Sequence, residues 1–291
     1  MKRYAFIYNP AARGNKAHAK FELLSSYVEQ LPGSKIYYSE SKEHITELVE
    51  QISENFDVVV ACGGDGTVRE VASKLIKQDK TLGVIPLGTG NDLCKTLKIP
   101  TDLRQAFKLL LKGNNIAMDV GRCNDFIFLN SLGFGFDGLT NLYAYKMDWL
   151  PSILRYLIAA LRANRRLNSF TLKIKKGERM VEKKLIMATF ANGRVEGGSF
   201  WIAPEASVQD GKLNLVTVRS ISRWLVPLLL PLFLIKKGYL IPHVTSRKLR
   251  EATLIFDSKI CIHADGEIIN SSSNKFDISL SPNKLEVICG L

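Results

Sequence analysis

Residues 57–70 read "DVVVACGGDGTVRE". Asp57–Ala61 is an unbroken apolar run after one acid, the pattern of a strand buried on both faces of a parallel sheet. Gly63-Gly64-Asp65-Gly66 suits neither helix nor strand and marks a turn. Thr67 and Glu70 fit a capping box, with Thr67 as N-cap, so a helix is predicted over 67–77. A glycine-rich turn between strand and helix gathers backbone N–H groups and the positive helix end, which suits phosphate. The glycines are expected to allow close approach and positive φ. A carboxylate at Asp65 repels phosphate unless Mg²⁺ bridges the two or the carboxylate handles a proton. Taken alone, the stretch also fits a plain turn with Asp65 as a cap.

The same design recurs on either side. "GVIPLGTGNDL" (83–93) and "AFIYNPAARGNK" (5–16) are each a strand, a turn and a helix start. In an open parallel sheet, ligands sit outside the carboxyl ends of the strands, where all three turns fall. Strands at 4–8, 35–38, 57–61 and 82–85 alternate with helices at 16–30, 44–53, 67–77, 91–97 and 103–111. Residues 1–120 are therefore expected to form an α/β domain. Beyond them come two helices (139–146 and 152–163) and many short β runs. Residues 121–291 are expected to form a β-rich domain with a helical insert, the last eight or so residues returning to the first domain.

The 291 residues carry a formal net charge of +12, which favours an anionic partner. Eleven Lys/Arg and three acids fall in 141–184, where Arg155 and Arg162 share a helix face beside Leu154, Leu157, Ile158 and Leu161. Trp224–Ile235 adds twelve uncharged residues between Arg223 and Lys236-Lys237. That is short of the ~18 needed to span a bilayer. Both segments suit an anionic membrane surface; the alternative is a core-facing helix with a solvated basic face. No nucleic-acid motif or aromatic stacking run accompanies the charge. The five scattered cysteines argue for a reducing compartment and against disulfides or zinc, and the four histidines have no metal-ligand spacing. The apolar run near the N-terminus is too short for a signal peptide, so a cytoplasmic protein is expected.

No G-x-x-x-x-G-K-[ST] occurs. "GFGFDG" (133–138) matches G-x-G-x-x-G but lacks a second strand with an acidic end, so a dinucleotide site is not expected there. "DGE" (265–267) is either a hairpin turn or a pair of working carboxylates. "PEASVQDGKLNL" (204–215) is either a turn or a Mg²⁺ loop. "ANGRVEGGSF" (191–200) is either a segment beside the site or a flexible loop.

"NP" (9–10), "GGDGT" (63–67), "PLGTGND" (86–92), "GFGFDG" (133–138), "DGKL" (210–213) and "DGE" (265–267) follow the order of the diacylglycerol kinase catalytic-domain family. The chain resembles its soluble bacterial lipid kinases over nearly all its length, and sphingosine and ceramide kinases more distantly. The resemblance implies an α/β domain similar to phosphofructokinases and NAD kinases, followed by a β-sandwich-like domain. It implies ATP contacts from Asn9, Pro10, Ala11, Ala12 and Arg13, and from Ser39. Further contacts are implied from Gly63, Gly64, Asp65, Gly66, Thr67, Val68 and Arg69, and from Gly88, Thr89, Asn91 and Asp92. Arg13 stands where the family usually has a glycine. Glu267 is implied as the catalytic base with Asp265 as its partner, and Asp65 as the holder of Mg²⁺ on ATP with a proton role open to it. Asp210 is implied as side-chain ligand of a structural Mg²⁺, with Ser207 and Lys212 contributing through the backbone. The implied activity is transfer of the ATP γ-phosphate to a lipid hydroxyl, diacylglycerol first, by a peripheral protein at the inner membrane face. The alternatives are another lipid (sphingoid, ceramide or prenol type), a soluble acceptor as in NAD kinases, or a non-catalytic ATP-binding membrane module. Oligomeric state stays open.

Overall fold

The computed structural model describes residues 2–10, 16–78, 80–147 and 149–291. The chain divides into two compact units, Met1–Met118 with Asn283–Leu291, and Asp119–Pro282.

The first unit runs β1 (Tyr4–Tyr8), α1 (Lys16–Val28), β2 (Lys35–Tyr38), α2 (Lys42–Ile52), β3 (Val58–Gly63), α3 (Asp65–Leu75), β4 (Thr81–Pro86), α4 (Asp92–Thr96), α5 (Leu103–Lys112) and β5 (Asn114–Met118). Its sheet has the order β2-β1-β3-β4-β17-β5, where β17 (Leu285–Cys289) is the returning C-terminal strand. All neighbours are parallel except β17 and β5. Every residue of β3 is buried, as expected for a central parallel strand covered on both faces. The helices cover it through apolar stripes: α5 buries Leu103, Ala106, Phe107 and Leu110, the i, i+3, i+4, i+7 set of one helix face. Asp102 starts that helix by accepting the Gln105 N–H at 3.0 Å.

The second unit runs β6 (Gly121–Cys123), β7 (Phe126–Phe128), β8 (Ser131–Gly135), α6 (Phe136–Tyr145), α7 (Ser152–Arg165), β9 (Phe170–Lys176), β10 (Arg179–Ala191), β11 (Leu213–Arg219), α8 (Val226–Leu234), β12 (Val244–Leu249), β13 (Glu251–Phe256), β14 (Ile262–Ala264), β15 (Glu267–Ile269) and β16 (Lys275–Leu280). Its antiparallel sheet has the order β15-β14-β8-β10-β9-β13-β16-β6-β7, with β11 and β12 branching from β10. Strands β8 and β16 stand four places apart, about 19 Å in a flat sheet. Yet the Phe134 and Phe276 rings on them lie 5.5 Å apart. The sheet therefore folds back on itself around one core, with Phe128, Phe134, Phe190, Phe256 and Phe276 inside.

The helical insert follows β8 directly. On α7 the buried residues are Ala159, Ala160 and Ala163, while Leu154 and Leu161 face outward and Leu157 and Ile158 are half-buried. The helix thus packs through alanine and shows leucine. Helix α8 buries Val226, Leu230 and Phe233 but leaves Leu228 exposed. No helix among the described residues is long and apolar enough to cross a membrane.

Candidate active site

In the first unit the turns after β3 and β4 touch. A Cβ on Gly88 would lie 2.5 Å from the Gly64 Cα, and one on Gly63 would collide with Thr67. Leu87 and Gly88 both donate backbone N–H bonds to the Gly63 carbonyl, at 2.9 and 3.2 Å. Close approach is why these positions are glycine. Positive φ is not the reason, because none of Gly63, Gly64, Gly66, Gly88 and Gly90 has it. The left-handed residue is Asn91 (φ 49), whose Nδ2 donates to the Gly88 carbonyl at 2.8 Å.

The capping-box expectation fails. Helix α3 starts at Asp65 after an extended Gly64, with no side-chain cap. Thr67 is inside the first turn, and its Oγ1 accepts the Asn9 Nδ2 at 3.0 Å. Asn9 also donates its N–H to the Cys62 carbonyl at 3.1 Å, so the β1 turn is tied to the β3 turn. Ser39 is buried, bonded to the Tyr8 carbonyl. Val68 is buried in the core, and the Arg69 guanidinium pairs with Glu70 at 2.8 Å. Ala11, Ala12 and Arg13 lie outside the described residues, and Pro10 ends the described part of that turn.

Asp65 is half-buried, and its Oδ1 accepts the Asp92 N–H at 2.9 Å, at the first residue of α4. A Cβ on Gly90, beside Thr89, would stand 2.8 Å from Asp65 Oδ2 and 3.9 Å from Asp92 Oδ2. The missing side chain leaves a space edged by two carboxylates, with Lys95 Nζ at its rim, 3.0 Å from the Gly90 carbonyl and 3.3 Å from Asp92 Oδ1, so a hard cation held here takes the place of that ammonium. Burial, reinforced by these two carboxylates, pushes the Cys94 thiol well above its usual range.

In the second unit Asp265 (φ 50) and Gly266 (φ 84) form the two-residue turn joining β14 to β15. Two left-handed residues are the geometry of a type I′ hairpin. The Asp265 carboxylate accepts three backbone N–H bonds, from Leu129 and Asn130 at 2.8 Å and Ser131 at 3.0 Å. It anchors the turn to the start of β8. Glu267, half-buried, begins β15 opposite Ala264.

Beside this turn, an apolar pocket enclosing about 760 Å³, part of it open to solvent, lies between the sheet and α8. Phe200, Ile202, Val218, Leu230 and Phe233 make its walls, while Asp137, Thr140, Tyr156 and Glu196 give it one polar end. The Tyr156 hydroxyl and Asn141 Oδ1 lie 3.7 Å from where a Gly266 Cβ would be, so that end adjoins the turn. The 191–200 segment is built in: Asn192 Nδ2 donates to the carbonyls of Asp119 and Leu129, at 2.8 and 2.7 Å.

The Asp210 loop is different. Its carboxylate meets Lys248 Nζ at 2.6 Å through Oδ2 and the Lys212 N–H at 3.1 Å through Oδ1. Gly211 donates to Asp119 Oδ2 at 2.7 Å, and the Ser207 hydroxyl accepts the Gln209 N–H at 3.4 Å. Both Asp210 oxygens already have donors, one of them an ammonium, so these residues do not fit Mg²⁺ as they stand.

Sequence reasoning missed Asp137, Glu196 and His263, which meet although they are 126 residues apart at the extremes. The one signal was Gly133 in "GFGFDG", since a Cβ there would collide with both Asp137 and His263.

A family model described as "Diacylglycerol kinase catalytic domain" matches residues 3–123, and one described as "YegS C-terminal NAD kinase beta sandwich-like domain" matches residues 130–289. A Klebsiella pneumoniae protein named "Probable lipid kinase YegS-like" is 34% identical over 171 residues, 57% of this chain and 57% of that protein. A Mycobacterium tuberculosis "Diacylglycerol kinase" is 33% identical over 183 residues, 60% and 59% of the two chains. The chain thus spans about three-fifths of the length of these curated relatives. A solved diacylglycerol kinase structure from Bacillus anthracis shares the fold, with a TM-score of 0.75 at 20% identity, over 99% of this chain and 97% of that one.

Proposed function

This chain belongs to the family that joins a diacylglycerol kinase catalytic domain to a YegS-type C-terminal domain, and from that premise we propose that it is an ATP-dependent lipid kinase. Its acceptor is a lipid hydroxyl, with diacylglycerol as substrate and phosphatidic acid as product. The observation that carries this is the apolar pocket whose polar end adjoins the Asp265–Glu267 turn. Its aliphatic and aromatic walls suit acyl chains better than a nicotinamide dinucleotide.

In this reading ATP is held by the turns around Asn9, Gly63–Arg69 and Gly88–Asp92. Asp65 would hold Mg²⁺, which supplies neutralisation of the phosphate charge. An alcohol does not ionise at neutral pH, so Glu267 takes the acceptor's proton as its oxygen attacks the γ-phosphorus. The new O–P bond forms as the bond to the β-phosphate oxygen breaks, and ADP leaves with that electron pair. Asp265 acts by position: three amide bonds hold the turn on which Glu267 stands.

The test supplies labelled ATP with diacylglycerol, sphingosine or ceramide in detergent micelles, or NAD⁺ in buffer. Labelled phosphatidic acid is expected from the first. Phosphorylation of NAD⁺ alone overturns the lipid assignment, and no transfer with ATP still bound favours a non-catalytic module.

The lipid must be reached in a membrane. Residues 211–250 contain eight Lys/Arg and no acid. Trp224, Leu228 and Tyr239 there are each more than two-thirds exposed, as are Tyr145 and Trp149 by the insert. Apolar side chains among cations fit the headgroup region of an anionic bilayer, so we place the protein peripherally on the inner membrane face.

A further inference from the structure

His263 on β14 is fully buried. Its Nε2 lies 2.8 Å from Glu196 Oε1 and 3.2 Å from Asp137 Oδ2, both on buried side chains, yet it makes no hydrogen bond. At those lengths distance is not what fails; direction is. The two oxygens flank the Nε2 axis and neither stands on it. Donors at right angles around one metal ion, each about 2.0–2.1 Å from it, lie about 3 Å apart. An ion on the Nε2 axis accounts for both the spacing and the missing hydrogen bond.

All three ligand-type atoms lie within 4.8 Å of one another. They come from three places: Asp137 from the first turn of α6, Glu196 from the 191–200 segment and His263 from β14. Each oxygen is also held from behind. Asp137 Oδ2 accepts the Thr189 hydroxyl at 2.5 Å, and Glu196 Oε1 the Asn141 Nδ2 at 3.4 Å. Such outer bonds fix ligands in place. Gly133 keeps the interior clear, since a Cβ there would collide with Asp137 and His263. Asp137 and Glu196 also line the apolar pocket, which gives an ion a way in.

We propose that Asp137, Glu196 and His263 bind a divalent transition metal of the zinc type, and that its capture is felt at the Glu267 turn. One imidazole with two carboxylates suits Zn²⁺, Co²⁺, Fe²⁺ or Mn²⁺, whereas Mg²⁺ prefers oxygen alone. The two carboxylates balance the ion's charge, which a buried site requires. The coupling runs through the ring. Without metal, Nδ1 accepts the Gly266 N–H at 3.3 Å, so in the neutral ring the proton is on Nε2. A metal takes the Nε2 lone pair, and the ring proton moves to Nδ1. There it meets the Gly266 N–H, donor against donor. That amide must turn aside, in the hairpin that carries Glu267. The ring stays neutral and no net proton is gained or lost. Neither ATP nor lipid enters this chemistry, so it is independent of the lipid-kinase reading.

Co²⁺ tests this on the full chain, stripped with chelator, without ATP or lipid and with Mg²⁺ in excess to fill oxygen-only sites. The wild type should bind one equivalent, and Zn²⁺ should displace it. Glu196→Gln and His263→Asn should each weaken binding by about 100-fold or more, and Thr189→Val, which removes only the bond behind Asp137, by about 10–100-fold. Thermal melts in chelator show which variants fold; if His263→Asn does not, Glu196→Gln and Thr189→Val carry the test. The site is refuted by binding that is absent in the wild type or equal in the folded variants. A sulfur-to-cobalt absorption band, which places the ion on a cysteine, refutes it too. In ¹⁵N-labelled protein the Gly266 amide resonance should move with one equivalent of Zn²⁺ in the wild type and stay in Glu196→Gln. An unmoved amide on the metal-loaded wild type refutes the coupling.

Discussion

Asp65-Gly66 and Asp265-Gly266 read alike, each an aspartate before a glycine at the tip of a strand. Their surroundings separate them. Asp65 opens α3, accepts one N–H from the start of α4, and turns its other oxygen toward the space left by Gly90. Asp265 is left-handed in a hairpin, and its carboxylate takes three backbone amides. In the proposed reading the first serves a ligand and the second serves the fold. In a turn of this kind, the carboxylate that a motif makes visible is not by that fact the one that reacts.

The sharpest way to break this contrast is Asp265→Ala. Three amides lose a charged acceptor, so stability should fall by about 3 kcal/mol or more, with turnover lost beyond detection. Thermal unfolding and a lipid assay on the same sample check both. Unchanged melting with lost turnover would instead make Asp265 a reacting group. Next comes Glu267→Gln, where shape is kept and the base removed. Turnover should fall by about 10²–10⁴-fold, with melting temperature and ATP affinity unchanged, since ATP is assigned to the other unit. Collapse of both constants would mark Glu267 as structural.

These two turns also show what was legible. The parallel sheet could be read because β3 is an apolar run buried along its whole length. The glycine turns could be read because a side chain at Gly88 would run into the Gly64 backbone. The helix start was misread: Thr67 and Glu70 have capping-box spacing, but the extended Gly64 lets α3 begin two residues earlier. The trio of Asp137, Glu196 and His263 had no local spacing to read, since β8 pairing with both β10 and β14 assembles it. That α8 is apolar was evident; that it turns Leu230 inward and Leu228 outward depends on the sheet it packs against.

Asp65→Asn tests the ligand side of the contrast. The amide oxygen still accepts the Asp92 N–H, so the fold should hold, while the space beside Gly90 loses a charge. Turnover should fall by about 10²–10³-fold, the usual scale for one electrostatic stabiliser, and titrating Mg²⁺ should show a raised requirement. Near-normal turnover would leave Asp65 a cap. A smaller effect is expected at the surface. Replacing Lys236 and Lys237 together by alanine removes two cations next to the exposed apolar segment, each worth ~1 kcal/mol on an anionic bilayer. Cosedimentation with vesicles rich in anionic lipid should weaken by up to about 30-fold, and less at high salt. Equal binding to neutral and anionic vesicles would remove the docking role.

The third Asp-Gly pair, Asp210-Gly211, is the smallest and most exacting case. Its carboxylate already faces the Lys248 ammonium at 2.6 Å, half in solvent. Such an exposed pair contributes ~0–1 kcal/mol, so Lys248→Ala should barely move the melting temperature in chelator. What it should change is the response to cation. With the ammonium gone, Asp210 and the neighbouring Asp119 keep their negative charge with no basic partner across from Asp210. Mg²⁺ that binds only the folded form then stabilises it by mass action. The variant should gain melting temperature across a Mg²⁺ titration where the wild type gains little, and Lys248→Arg should restore the wild-type indifference. If the wild type itself is stabilised by Mg²⁺ as strongly as the variant, the lysine yields its place to the metal. The loop would then belong with Asp65 among the ligand-facing turns rather than with Asp265.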